Sequence, residues 1–304
     1  VSDAEHATSA PVAPGLSRQY VKLCDRRDFD DPELRAQLRE MVAPRPEEQE
    51  IERKLWEYAM LGLFLRDVGA LRDDAQILSV AAGHEEPLYW LANRVARVVA
   101  TDIYGEGGFA AREAKGSMLD DPAAFAPYPY REDHLEVRTM DARTLDFPDE
   151  TFDAIFSLSS IEHFGTPADI ARAAAEIGRV LKPGGHAFVV TELLVRSHPL
   201  DNPLVQTAIR YLTLGRRCPT ATPRQRIIDA FTARELEPRI VTPSGLRLMQ
   251  ELDMTLSPES FENTTRFIGD ALEHPDGRRW PHIMLQAHGA PWTSVCLALE
   301  KPAA

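Results

Sequence analysis

From residue 76 onward the chain alternates short runs rich in β-branched and aliphatic residues with stretches of helical periodicity, and this alternation restricts the fold more than any other feature. The runs occupy residues 76–81, 97–102, 135–140, 152–157 and 186–192. Strands that alternate with helices form βαβ units, hence a parallel sheet with helices on both faces. Ligands of such sheets bind at the carboxyl ends of the strands. Two further strands are expected around 246–255 and 293–300.

Ahead of the first strand, residues 1–18 are rich in Ala, Ser and Pro without periodicity and read as a disordered tail. Helical spacing follows from 31 to 41 and from 46 to 68, where Ile51, Leu55, Ala59, Leu63 and Phe64 form one stripe. The expected organisation is a tail over 1–18, an N-terminal helical cap over 19–74 and one α/β domain over 75–304. Three connections, 103–133, 195–245 and 258–291, exceed ordinary length and are expected to supply at least one lid or substrate wall, packing elements being the alternative.

A length of 304 residues allows one large domain with embellishments. Lys and Arg number 34 against 47 Asp and Glu, a net charge of −13. A field of that sign repels phosphate backbones and anionic lipid, so nucleic acid is disfavoured and a small molecule or neutral glycan is favoured. Cys24, Cys218 and Cys296 are odd in number and share no CxxC spacing, which argues against a disulfide framework or a zinc site and fits a reducing cytoplasm. No apolar run is long enough to span a bilayer, and the first residues lack an export pattern, so neither membrane insertion nor export is expected. The oligomeric state is left open.

The first run ends in ILSVAAGHE over 77–85, where Gly83 lets a ligand approach the strand-to-helix turn and the following helix is expected to offer free N–H groups. Asp102 ends the second run, at the place where nucleotide-binding α/β folds grip a ribose diol; an ordinary turn with a capping aspartate is the alternative. Residues 134–165 read HLEVRTMDARTLDFPDETFDAIFSLSSIEHFG, and 170–190 read IARAAAEIGRVLKPGGHAFVV. In order, spacing and wording, residues 76–192 resemble the class I S-adenosylmethionine-dependent methyltransferases.

That resemblance implies a Rossmann-like, seven-stranded, mostly parallel α/β sheet with an antiparallel last strand, and S-adenosyl-L-methionine as cofactor. It places the cofactor against Ser79, Ala81, Gly83, Asp102, Ile103, Asp141, Ala142 and Ser157. Asp141 would accept from the adenine amine while the Ala142 N–H donates to a ring nitrogen; a turn cap is the alternative. Ser79 stands where the family carries an acid, Ala81 where it carries the first glycine and Glu85 where it carries the third. Glu85 therefore puts a carboxylate near the methionyl end of the cofactor, attracting its cationic groups or repelling its carboxylate. Gly184 and Gly185, after Lys182 and Pro183, are expected to end a helix ahead of the fifth strand.

Methyl transfer from a sulfonium is an in-line displacement that needs an aligned nucleophile, and a hydroxyl nucleophile needs a base. His163, just past the fourth strand, is the candidate base, a histidine packed between helix and sheet being the alternative, and Glu162 orients it or faces solvent. Glu192 and His198, beyond the fifth strand, and Tyr128 and Tyr130, beside Phe125, are expected to contact the acceptor; Glu192 and His198 are alternatively plain loop structure, and the aromatic group alternatively fixes a lid. No two acids have clear ligand spacing, so no metal is expected. The function expected is methylation of a hydroxyl on a small molecule or a sugar or glycan precursor. The alternatives are a cofactor-binding protein without turnover and, against the missing glycines and the Asp141 segment, an NAD-dependent oxidoreductase.

Overall fold

The computed structural model describes residues 16–105, 114–196, 203–214, 230–268, 271–273, 277–287 and 289–303. The five runs fold as β1 (Gln76–Val80), β2 (Arg97–Asp102), β3 (Leu135–Thr139), β4 (Phe152–Leu158) and β5 (Leu181–Leu194). They pair in parallel in the order β3-β2-β1-β4-β5, so the carboxyl ends of β1 and β4 lie side by side at the centre of one edge. From Ile77 to Val80 every β1 residue is buried, which is why the strand reads as a continuous apolar run.

The two late strands are β6 (Arg247–Leu248) and β10 (Ala290–Glu300). β10 lies antiparallel to β5, from Trp292 opposite Leu194 to Glu300 opposite His186, and β6 pairs with its far end. With β1–β5 they make the expected seven strands. Three more, β7 (Thr264–Ile268), β8 (Ala271–Glu273) and β9 (Met284–Ala287), bring the sheet to ten strands among the described residues. These arise in the 258–291 connection, whose described residues add strands to the sheet. The reason is an edge: β10 runs past β6, and β9 covers its first residues, Ala290 to Trp292, while Leu285, Leu194, Ala290 and Trp292 close a small apolar cluster.

Helices α1 (Pro32–Met41) and α2 (Arg53–Asp67) precede the sheet. Asp31 caps α1 by accepting from the Glu33 N–H, with Pro32 in the first turn. In α2 every residue from Leu55 to Leu65 is buried, although the sequence shows a single apolar stripe. The helix is enclosed by α1 on one side and by β4, β5 and β10 on another, with Phe64 stacked on Phe188 at 5.0 Å. The chain before it also joins the sheet: Leu23 bridges Val295, and the Cys24 N–H donates to the Ser294 carbonyl at 2.9 Å. Ser17 and Arg18, at the end of the stretch read as a tail, are held by Asp67 and by Asp31 with Glu33.

Helix α3 (Pro87–Ala92) follows β1 and packs on β2 and β3, and α4 (Pro167–Val180) packs on β5. The α4 helix ends at Val180, so Gly184 and Gly185 do not terminate it; they lie inside β5, at a register shift opposite Phe152 and Ala154. Gly184 takes φ +71°, and a Cβ on Gly185 would sit 2.8 Å from the Lys182 carbonyl oxygen and 2.9 Å from that of Asp153. Among the described residues, no helix is long and apolar enough to cross a membrane, and no group of three or more His, Cys, Asp or Glu is placed to hold a metal ion. Cys24 and Cys296 are buried free thiols.

Candidate active site

The turn from β1 into α3 reverses twice through left-handed backbone, at Ala81 with φ +55° and at Gly83 with φ +50°. A non-glycine residue pays roughly 1 kcal/mol or more for that conformation, so the surroundings must hold Ala81 there. They do: the Ser160 hydroxyl, past β4, donates to the Ala81 carbonyl at 3.1 Å. Ser79, buried in β1, takes the Thr101 hydroxyl on its carbonyl at 3.1 Å. The helix beyond the turn is six residues long, and its Leu88 and Tyr89 N–H groups already donate to the carbonyls of Glu85 and Glu86. Free donors at this helix start are therefore not the binding device the sequence suggested.

Asp102 ends β2 against this turn. Its Oδ2 accepts the Gly83 N–H at 2.9 Å and its Oδ1 accepts the Ile103 N–H at 2.7 Å. Each oxygen retains a lone pair for a further donor. Burial raises the Asp102 pKa from the ordinary carboxylate value, and the two N–H groups oppose that shift. Ile103 is exposed, and the Tyr104 hydroxyl closes the corner on the Gly83 carbonyl at 3.0 Å.

Asp141 follows β3 and is half-buried, as is Ala142. Its carboxylate accepts the Arg143 N–H at 2.8 Å and clasps the Arg143 guanidinium, with Nη2 to Oδ2 at 2.6 Å. This pairing holds the Asp141 pKa below its ordinary value. The turn-capping role thus exists, and an adenine amine would share the carboxylate with Arg143, a partner the sequence reading missed.

At the end of β4, Ser157 is fully buried and its hydroxyl has no hydrogen-bond partner. Glu162 does not face solvent: it is buried, its Oε2 accepts the Thr191 hydroxyl at 2.8 Å, and its Oε1 is unpartnered. Burial, with the nearby Glu192 charge, pushes its pKa up to about 7. His163 is exposed, and its main-chain N–H donates to the Ser160 carbonyl at 2.9 Å.

The largest departure from expectation comes from α2. Its first turn brings Arg53 and Lys54 to the carboxyl ends of the strands. Arg53 pairs with Glu192 at 2.9 Å and donates to the Ser294 hydroxyl at 2.8 Å. Lys54 donates to the Leu158 carbonyl at 3.0 Å and pairs with Glu57 at 3.2 Å and with Glu85. Glu57, fully buried one turn on, also accepts the hydroxyls of Ser159 and Ser294. Glu85, the residue in the third glycine's place, is pushed up to about 7 by burial despite Lys54. Arg53, Lys54 and Glu57 escape sequence reading because their spacing is that of an ordinary solvated i,i+3 and i,i+4 set.

Tyr128 and Tyr130 have their contacts elsewhere. The Tyr128 hydroxyl donates to the Met41 carbonyl at 2.9 Å, and Tyr130 packs edge-on against Tyr89 at 4.9 Å. The aromatic stretch fastens the 103–133 connection to α1 and α3 and is not gathered with Glu162. Glu192 does join that group, through Arg53. His198 lies outside the described residues.

Several buried polar atoms without partners, Ser157 Oγ, His84 Nδ1 and Glu162 Oε1, belong to residues at or just past the carboxyl ends of β1 and β4. Buried polar groups are rarely left unpaired, so this edge fits a polar ligand.

Residues 78–189 match the family described as methyltransferase domain. A phosphatidylethanolamine N-methyltransferase from Cereibacter sphaeroides is 33% identical over 123 residues, 40% of this chain and 52% of that protein. A 27-O-demethylrifamycin SV methyltransferase from Amycolatopsis mediterranei is 30% identical over 127 residues, 42% of each chain. The chain spans about half the length of the curated relatives it matches, 52% and 51% for two of them. Among solved structures, a geranyl diphosphate C-methyltransferase from Streptomyces coelicolor superposes with TM-score 0.47 at 16% identity, over 95% of this chain and 91% of that one.

Proposed function

We propose that the chain, whose residues 78–189 match the methyltransferase-domain family, is a class I, S-adenosylmethionine-dependent methyltransferase that transfers the cofactor's methyl group to a hydroxyl of a small molecule or a sugar or glycan precursor. The observation that carries the reading is the clasp of Asp102 on the Gly83 N–H, which sets a carboxylate against the one retained glycine at the ends of β1 and β2.

In this reading Asp102 accepts hydrogen bonds from the ribose hydroxyls, Asp141 and the Ala142 N–H read the adenine edge, and Ser79, Ala81, Ile103 and Ser157 shape the pocket. When bound, S-adenosylmethionine supplies an electrophilic methyl group on sulfur. The chain's task is to align the acceptor, exclude water and take the acceptor's proton. His163 takes it, with Glu162 beneath in the same turn; Glu192, held by Arg53, contacts the acceptor. An oxygen acceptor is supported by this proton-accepting pair, and by one relative whose name specifies a 27-O-demethylated substrate; another relative is named for an amine. The charge of −13 supports a small molecule over nucleic acid. Residues 19–74 act as a cap that completes the site of the 75–304 domain, and the free thiols of Cys24 and Cys296 support a reducing cytoplasm as its location.

The test is incubation of the whole chain with S-adenosylmethionine carrying labelled methyl, offered hydroxylated sugars, their lipid- and nucleotide-linked forms, polyketide alcohols, amines and bulk RNA. An O-methylated product is expected. Label on nitrogen or RNA overturns the acceptor class; cofactor binding without transfer to any acceptor favours a non-catalytic binder, the alternative that Glu85 in a glycine's place supports.

A further inference from the structure

We infer that Lys54 and Glu85 together receive the amino-acid end of the cofactor, Lys54 taking its carboxylate and Glu85 its ammonium, so that a helix outside the matched domain sets cofactor selectivity. The inference rests on the cofactor assignment above.

The pair lies at the ligand edge of the sheet. Glu85 closes the β1 turn two residues after Gly83, and Lys54 reaches the carbonyl of Leu158, the last residue of β4. Ser157, one residue earlier, is fully buried with its hydroxyl unpartnered. A largely enclosed Lys–Glu pair is costly in desolvation and contributes little stability against an apolar alternative, so its presence at a ligand edge calls for a chemical reason.

A free α-amino acid group is a zwitterion, and a site for it needs a cation and an anion within reach of each other. Exchange supplies both. Lys54 turns from Glu85 to the incoming carboxylate, and Glu85 takes the incoming ammonium; one protein pair becomes two protein–ligand pairs and no charge is left alone. Lys54 stays anchored during the exchange, because Glu57 and the Leu158 carbonyl keep hold of it. Glu57 is itself fixed by the hydroxyls of Ser159 and Ser294. The glutamate in a glycine's place is thereby matched by a lysine that the methyltransferase domain alone, residues 78–189, does not contain.

The experiment is calorimetry on the whole chain with two ligands. S-Adenosylhomocysteine carries the amino-acid end; 5′-methylthioadenosine keeps the nucleoside and the thioether but lacks it. The native chain is expected to prefer the first. Lys54→Met and Glu85→Gln should each weaken S-adenosylhomocysteine by about tenfold or more, the scale of a charged hydrogen bond, and leave 5′-methylthioadenosine unchanged. Retained 5′-methylthioadenosine binding serves as the control for folding. Should a single variant fail to fold, Lys54→Met/Glu85→Gln removes both charges and is read by the same ratio. A variant that keeps the native ratio makes the pair a structural anchor and overturns the inference. A native chain that binds both ligands equally overturns it too, with the cofactor assignment intact. A native chain that binds neither ligand overturns the cofactor assignment, and this inference with it.

Discussion

The main-chain N–H of Gly83 donates to Asp102 Oδ2 across 2.9 Å, tying the turn after β1 to the end of β2. The bond fixes the carboxylate while leaving lone pairs on both of its oxygens, so Asp102 is oriented before any ligand arrives. Preorganisation of this kind lowers the cost of binding.

The Asp141–Arg143 clasp separates two roles for Asp141. If Asp141 reads the adenine amine, Asp141→Ala weakens S-adenosylhomocysteine by about 1.5–3 kcal/mol, and Arg143→Ala, which uncovers the carboxylate, does not. Titration of both variants checks this. Equal losses of thermal stability with unchanged affinity would leave Asp141 as a turn cap.

His163 and Glu162 are distinguished by turnover. His163→Ala should lower kcat by roughly 10²–10⁴ with cofactor affinity unchanged, the usual contribution of a general base. A near-native kcat in His163→Ala, set beside a large drop in Glu162→Gln, would move the proton to Glu162.

Glu162 also predicts a pH dependence. Its pKa rises from 4.5 to about 7 on folding, so the protonated form is favoured in the folded chain. The associated stability is present below about pH 4.5 and is lost as pH rises through about 7. Glu162→Gln, which mimics the protonated acid, should therefore match the native chain near pH 4.5 and exceed it at pH 8 by on the order of 3 kcal/mol. Urea unfolding at the two pH values measures the difference; a variant less stable than the native chain at pH 8 contradicts it.

The packing of α4 gives a prediction independent of function. A Cβ on Gly178 would lie 1.7 Å from the Ser244 carbonyl oxygen, which is backbone and has no rotamer to yield. Gly178→Ala should cost about 3 kcal/mol or more, at or above the upper range for overpacking. A melting temperature equal to the native one would show that the 242–244 turn gives way freely.

The parallel strands were legible because buried β-branched runs and helical stretches alternate on periods that sequence displays directly. The positions of Asp102 and Gly83 follow from the same pattern, Asp102 ending β2 and Gly83 lying in the turn that follows β1. Arg53 and Lys54 were not: Arg53 finds its Ser294 partner 241 residues away, and its local spacing to Glu57 looks like a solvated face. The strands β7–β9 were hidden because they are short and form to cover an edge that only the folded sheet creates. For Tyr128 and Tyr130 an aromatic run reads alike as a stacking surface and as a fastening, and the structure adds their contacts with Met41 and Tyr89.

The most direct test of the account is calorimetry of the whole chain with S-adenosylhomocysteine, repeated on Asp102→Ala and accompanied by NAD. Saturable one-to-one binding to the native chain is expected, weakened by about 1.5–3 kcal/mol in the variant, with no heat from NAD. Binding of NAD in place of the nucleoside thioether, or an Asp102→Ala variant with native affinity, would contradict a cofactor site built on the Gly83–Asp102 clasp.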